Sequence, residues 1–201
     1  MAPASVTKLT NTDGVQEAIR GLRFGKASGP NDVPNRAFKH LTQRVISLLV
    51  LIFNAILFTH HFPIAWKHAR VISIFKPGKD PALPSPYRPI SLLDTIGKLN
   101  EKILLAMILH EISVLGLMRD EQFEFRPRQS TSLQQIRLLE RITRNFGEKR
   151  LTGAVFLDVV KAFDTVWIDG LLYKLTLLNF PSYIFHTNSS YLRGRTSEAS
   201  F

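Results

Sequence analysis

Apolar residues recur along this chain mostly at helical spacing, with short interruptions by proline, glycine and polar turns. In residues 15–24, Val15, Ala18, Ile19 and Leu22 share one side, which predicts a short amphipathic helix. Residues 25–34 are rich in Gly, Pro, Ser and Asn and predict a loop carrying Lys26. Pro34 suits the first turn of a helix reaching about Leu41, and a second helix follows to about Phe58. Residues 69–75 alternate loosely, as a strand does. The next stretch, 76–89, holds five prolines and is predicted to lack regular structure. A long helix is expected over 95–117, with Ile96, Leu99, Ile103, Met107 and Ile108 inward. After a turn-like connector at 120–129, Ser132 with Gln135, or Thr131 with Gln134, gives capping-box spacing. The helix this opens has Leu133, Ile136, Leu139, Ile142 and Phe146 as its apolar positions. Residues 154–157, reached through Gly153, read as a short buried strand. Two short helices, 168–178 and 182–192, are separated by Pro181. No internal repeat, low-complexity tract or domain linker breaks the pattern. The elements add up to an α+β, helix-rich fold with a small sheet.

The most hydrophobic stretch, 45–58, is short for a bilayer span and contains Ser47 and Asn54, so it is assigned to the core rather than to a membrane. Residues 1–10 lack the apolar run of a secretory signal. At 201 residues and 45% hydrophobic content, the chain can bury a substantial core. Twenty-six Lys and Arg against 16 Asp and Glu give a net charge of +10, which points to a negatively charged partner, nucleic acid first and an anionic membrane second. Cysteine is absent, which excludes disulfides, thiol catalysis and cysteine-ligated metal, and suits an intracellular protein.

Chemistry concentrates at Asp158. A carboxylate leaving a buried strand escapes the cost of desolvation only by meeting water, a donor or a metal ion. Lys76 and Arg88 flank the proline-rich loop and could hold a triphosphate, one as a point charge and the other as a fork of donors. Composition alone favours solvated surface for both. Arg137, Arg141 and Arg144 form a stripe opposite the apolar side of their helix. Two interpretations stand for it: a track for phosphates or an ordinary solvated face. Phe125 with Arg126 could brace a template strand, or Phe125 could anchor the core. Glu124 beside them repels phosphate. Phe163 has core packing as its alternative. Asp164 is read as a turn or helix-cap residue.

Four blocks carry a family resemblance. The run Lys26-Ala27-Ser28-Gly29-Pro30-Asn31-Asp32-Val33-Pro34 comes first, then Lys76-Pro77-Gly78-Lys79-Asp80 with Tyr87-Arg88-Pro89-Ile90-Ser91-Leu92-Leu93. Glu121-Gln122-Phe123-Glu124-Phe125-Arg126-Pro127 with Ser130-Thr131 is third, and the run from Phe156 through Asp158 and Thr165-Val166-Trp167 to Leu172 is fourth. In this order they resemble the reverse transcriptases of non-LTR retrotransposons, the jockey-like type in particular. The third block departs from the pattern, which usually has Gly where Glu124 stands.

The resemblance implies the fingers and first part of the palm of a right-hand polymerase fold, incomplete in this chain. It places a helical region over 1–65 and fingers with partial palm over 66–201. By resemblance Asp158 is a catalytic metal ligand, joined by the carbonyl of Val159. Lys76 and Arg88 meet the nucleotide's phosphates, and Phe163 is the steric gate against a ribose 2′-hydroxyl. The implied cofactor is Mg2+, and the implied partners are an RNA template, a DNA primer and deoxynucleoside triphosphates. A two-metal site needs more than one carboxylate, and the family's others lie in a later Tyr-Ala-Asp-Asp hairpin. No Asp-Asp pair occurs in the 201 residues, and the family's Gly-x-x-Gln-Gly block is missing. The chain is therefore expected to be a truncated polymerase domain, inactive alone, with a non-catalytic RNA- or DNA-binding remnant as the alternative. Without that hairpin, the Asp158 strand is expected to keep an unpaired edge.

Overall fold

A computed structural model describes residues 9–75, 78, 87–126, 130–159 and 162–200. The fold is mixed and helix-rich, with one small sheet. The chain divides into two compact units, Met1–Glu111 with Trp167–Phe201, and Ile112–Val166.

The first unit opens with α1 (Thr12–Arg20), which starts earlier than its apolar pattern suggests. The reason is a cap: Asn11 Oδ1 accepts the Gly14 backbone N–H at 2.9 Å. Its inward residues Val15 and Ile19 meet Ile46, Leu49, Phe53 and Ile56 of α3 (Gln43–Thr59), and Leu99 and Ile103 of α4 (Thr95–Val114). One face of the stretch at 45–58 is thus core, while Val45, Leu48, Leu51 and Phe58 on its other side are exposed. Among the described residues no helix is long and apolar enough to cross a membrane. A smaller cluster of Leu57, Phe62 and Leu104 continues this core. There Phe62 stands edge-on to Trp66 and to Tyr191, with ring centroids 6.0 and 5.0 Å away. Fully burying one such aromatic or aliphatic side chain contributes about 1.5–3 kcal/mol. Helix α2 is short, Asn35–Phe38. Helix α4 stops before the expected Leu117, because Gly116 takes φ 61 and the Leu117 N–H turns back to the Ile112 carbonyl.

The sheet has the order β2-β1-β3. Strand β1 (His68–Phe75) pairs antiparallel with β2 (Tyr87–Leu92) and parallel with β3 (Thr196–Ser200). Tyr87, Arg88 and Pro89 are strand, not irregular chain; Pro89 sits opposite Ser73 on an edge strand, where a missing N–H is tolerated. Apart from Gly78, the rest of 76–86 lies outside the described residues. Strand β3 and the 3-10 turn at Ile64–Trp66 carry no apolar alternation by which the sequence would predict them.

The loop at 25–34 docks on the start of α4. A Cβ on Gly29 would run into the backbone of Leu93 and Asp94, so only glycine fits there. Asp94 accepts the Asn31 N–H at 3.0 Å. Thr95 Oγ1 lies 2.9 Å from Asn35 Oδ1, and Asn35 Nδ2 donates to the Arg23 carbonyl at 2.8 Å. Arg70 of β1 adds a bond to Asp32 at 3.1 Å and approaches Glu198 of β3 at 3.7 Å. Helices α6 (Ile168–Leu177) and α7 (Ser182–Leu192) complete this unit, split at Pro181 as expected.

The second unit is built on α5 (Thr131–Gly147). Its cap is Ser130, whose Oγ accepts the Leu133 N–H at 3.3 Å. Neither expected capping box forms, since Thr131 and Ser132 already lie inside the helix and N3 is Leu133. The apolar residues Leu133, Ile136, Leu139, Ile142 and Phe146 are all exposed. The predicted strand at 154–157 is likewise not formed. Residues 151–159 belong to no helix or strand and are exposed, Leu157 by 90%. A strand exists only through a ladder to a neighbour, and four apolar residues in a row do not say whether a neighbour is there.

Candidate functional site

Asp158 lies in this irregular, exposed segment and not at the mouth of a buried strand. Its carboxylate is therefore under no desolvation cost that a metal would have to relieve. Val159 beside it is also exposed. Asp164 falls in the turn at 162–165.

Phe163 and Phe125 are brought together in the second unit. Their rings meet edge to face, with centroids 6.1 Å apart and an interplanar angle of 86°. Each is 79% exposed, so neither is a core anchor. Phe125 holds φ 58, a left-handed conformation that is unfavourable for a bulky side chain. This strain falls next to Glu124, where the resembling family usually has glycine. Arg126 is half-buried and turned to the protein itself: it donates to the Arg119 carbonyl at 3.0 Å and lies 4.0 Å from Asp120.

The arginine stripe divides in a way the spacing did not reveal. Arg137 donates to the Asp120 carbonyl at 2.8 Å, and its guanidinium lies 5.5 Å from the Phe123 ring centroid. It braces the connector before α5. Arg144 approaches Glu140 at 3.5 Å, an exposed pair worth at most about 1 kcal/mol. Arg137, Arg141 and Arg144 nevertheless line one cavity of about 490 Å3, together with Glu140, Asn145, Glu148 and Arg150. Arg150 is the member that sequence reasoning missed. After Gly147 the chain closes a Schellman turn, with Lys149 at φ 55, its N–H on the Phe146 carbonyl, and the Arg150 N–H on the Asn145 carbonyl at 2.8 Å. That reversal carries Arg150 to the cavity. A left-handed lysine is a weak sequence signal, since glycine or asparagine usually marks such a turn.

Arg88 is exposed on β2, with its backbone paired opposite Ile74 of β1. Lys76 lies outside the described residues. Among the described residues no group of three or more His, Cys, Asp or Glu side chains is placed to hold a metal ion. Magnesium requires a near-octahedral oxygen shell. Asp158 with one carbonyl does not meet that requirement.

A family model described as reverse transcriptase (RNA-dependent DNA polymerase) matches residues 74–200. A probable RNA-directed DNA polymerase from transposon BS of Drosophila melanogaster is 39% identical over 188 residues, covering 94% of this chain and 21% of that protein. The RNA-directed DNA polymerase from mobile element jockey of Drosophila funebris is 38% identical over 90% of this chain and 20% of its own length. A probable RNA-directed DNA polymerase from transposon X-element of Drosophila melanogaster is 36% identical, again over 90% of this chain and 20% of that protein. The chain thus spans about a fifth of the length of these curated relatives.

Proposed function

Because the chain belongs to the reverse transcriptase (RNA-dependent DNA polymerase) family, we propose that it forms the fingers and first part of the palm of an RNA-directed DNA polymerase domain of a jockey-like retrotransposon. In this proposal residues 1–65 are a helical region preceding the fingers, and 66–201 are fingers and partial palm of a right-hand fold. The observation that carries it is similarity across nearly the whole chain, taking in the Gly29 loop, the Arg88 strand and the Asp158 segment alike.

Within that frame, Lys76 and Arg88 bind the phosphates of a deoxynucleoside triphosphate, and Phe163 excludes a ribose 2′-hydroxyl. Phe125 stacks on the template with Arg126 bracing its connector. Arg141 and Arg144, with Arg137 beside them, contact backbone phosphates of RNA template or DNA primer without reading bases. Asp158 and the Val159 carbonyl contribute ligands to a Mg2+ site whose remaining carboxylates these 201 residues do not supply. On their own they bind nucleic acid and do not extend a primer.

Fluorescence anisotropy with a labelled RNA–DNA template–primer, repeated from 50 to 300 mM salt, tests the binding part. Affinity that falls steeply with salt and is indifferent to sequence supports it. Salt-independent binding, or none at 50 mM, overturns it.

A further inference from the structure

A second basic site lies in the first unit, apart from every residue assigned above. Helix α7 presents His186, Ser189 and Ser190 on one face, at spacings of three and one, and Arg193 follows just past its C-terminal end. Its other face buries Tyr183, Ile184, Thr187 and Asn188. Across from the polar face stand His60, at the end of α3, and Lys67, at the end of the 3-10 turn, and with Ile64 they line an open cleft of about 730 Å3. Five features mark it as a built site. His60 takes φ 55, and its ring lies 5.3 Å from that of His186, tilted by 31°. His60 Nδ1 is buried with no hydrogen-bond partner among the described residues, which leaves an uncompensated polar atom in the cavity wall. Lys67 is only 7% exposed, and among the described residues no carboxylate pairs with it. Burial, and then Arg195 nearby, lower its pKa, as an uncompensated cation requires. Ser190 Oγ accepts the Phe62 N–H at 2.9 Å, which leaves its own proton to donate.

Among the described residues no carboxylate lines the cavity. Arg193 is already held by Asp169 at 2.6 Å, so Lys67 is the principal source of charge. A pocket of ammonium, imidazole and hydroxyl donors lacking an acidic group selects an oxyanion with several acceptor oxygens. We propose that this cavity binds a phosphate group, with Lys67 supplying the charge and His186, Ser189 and Ser190 supplying hydrogen bonds. The group is either a diester of a nucleic-acid strand or a free phosphate or polyphosphate. The proposal does not depend on the polymerase assignment.

Isothermal titration of the 201-residue chain with inorganic pyrophosphate tests it, using K67M and the surface double variant H186Q/S189A. Binding to the unaltered chain, weakened at least tenfold in both, is expected. If K67M gives no cooperative thermal transition, H186Q/S189A decides alone. No pyrophosphate binding at millimolar concentration, or affinity unchanged in a folded variant, overturns the proposal. A 12-nucleotide RNA without terminal phosphates then separates the sources. Displacement of pyrophosphate by this RNA identifies a backbone diester, and its failure to compete identifies a free phosphate.

Discussion

The Asp94 carboxylate accepts the backbone N–H of Asn31 at 3.0 Å, across a separation of 63 residues. This bond joins the loop at 25–34 to the segment linking β2 and α4, at the place where Gly29 packs directly on the backbone of Leu93 and Asp94. Two sequence blocks that resemble the same family separately are one physical joint. The joint seats β2, and with it Arg88, on the helical core.

Placing a methyl group at Gly29 forces backbone to move, and overpacking of this kind costs about 1–3 kcal/mol. G29A is expected to lower the thermal midpoint clearly, and D94A to do so by a similar amount through loss of the Asn31 acceptor. Circular dichroism melts of both variants check this. Unchanged midpoints would mean that the loop is not docked.

Tyr191 donates to Glu101 at 2.9 Å under the Arg195 guanidinium, which lies 4.6 Å from its ring centroid. Burial first, and then the Glu101 charge, raise the pKa of its phenol. A phenol whose folded pKa exceeds the unfolded value of 10.0 contributes stability that is complete below pH 10.0 and is lost as pH rises through the folded value. Y191F is therefore expected to be less stable than the unaltered chain by about 1–3 kcal/mol near pH 7. That deficit is expected to shrink steadily above pH 10. Urea midpoints from pH 7 to 11 measure it; a deficit constant with pH would contradict the assignment.

At the start of α5, among the described residues, Ser130 alone caps the helix with its side chain. S130A is expected to destabilise it by about 1 kcal/mol, while T131A and S132A stay near neutral. Amide hydrogen exchange over the first turn distinguishes the three. Loss of protection in T131A or S132A in place of S130A would restore the capping-box interpretation.

Arg141 and Arg144 share a cavity with Arg150, whereas Arg137 is engaged with the Asp120 carbonyl. R141Q/R144Q is expected to flatten the salt dependence of single-stranded RNA binding, with the slope falling by about 0.7 for each phosphate that is no longer neutralised. R150Q is expected to act in the same direction, because the reversal at Lys149 carries Arg150 to the same cavity. R137Q is expected to add faster proteolysis within 119–126, because the brace on the connector is gone. Slopes that match the unaltered chain in all three variants would return the stripe to an ordinary solvated face.

Much of the helical framework was legible because burial imposes a period. Val15 and Ile19, Leu49 and Phe53, and Leu99 and Ile103 announce their shared core by spacing alone. Features fixed by single backbone bonds were not legible. The left-handed Lys149 that returns Arg150 to its cavity and the polar strand β3 depend on backbone hydrogen bonds that no side-chain pattern encodes, whereas the Asn11 cap is a side-chain signal lying just ahead of the apolar spacing. Pro89 misled because proline argues against central strands, not edge strands. The Asp158 segment misled for the opposite reason: Val155, Phe156 and Leu157 have the composition of a buried strand, yet among the described residues nothing pairs with or covers them. For the site, the sequence marked the residue types by family resemblance, while the partners of Arg126 and Arg137 emerged only with the fold.

Primer extension tests the central claim most directly. The 201-residue chain is assayed beside the same residues continued through the Tyr-Ala-Asp-Asp hairpin of a jockey relative, with RNA template, DNA primer, Mg2+ and all four deoxynucleoside triphosphates. The account predicts extension by the continued chain, none by the 201 residues alone, and none when the continued chain carries D158A. Extension by the 201 residues alone, or undiminished extension by the D158A chain, would contradict it.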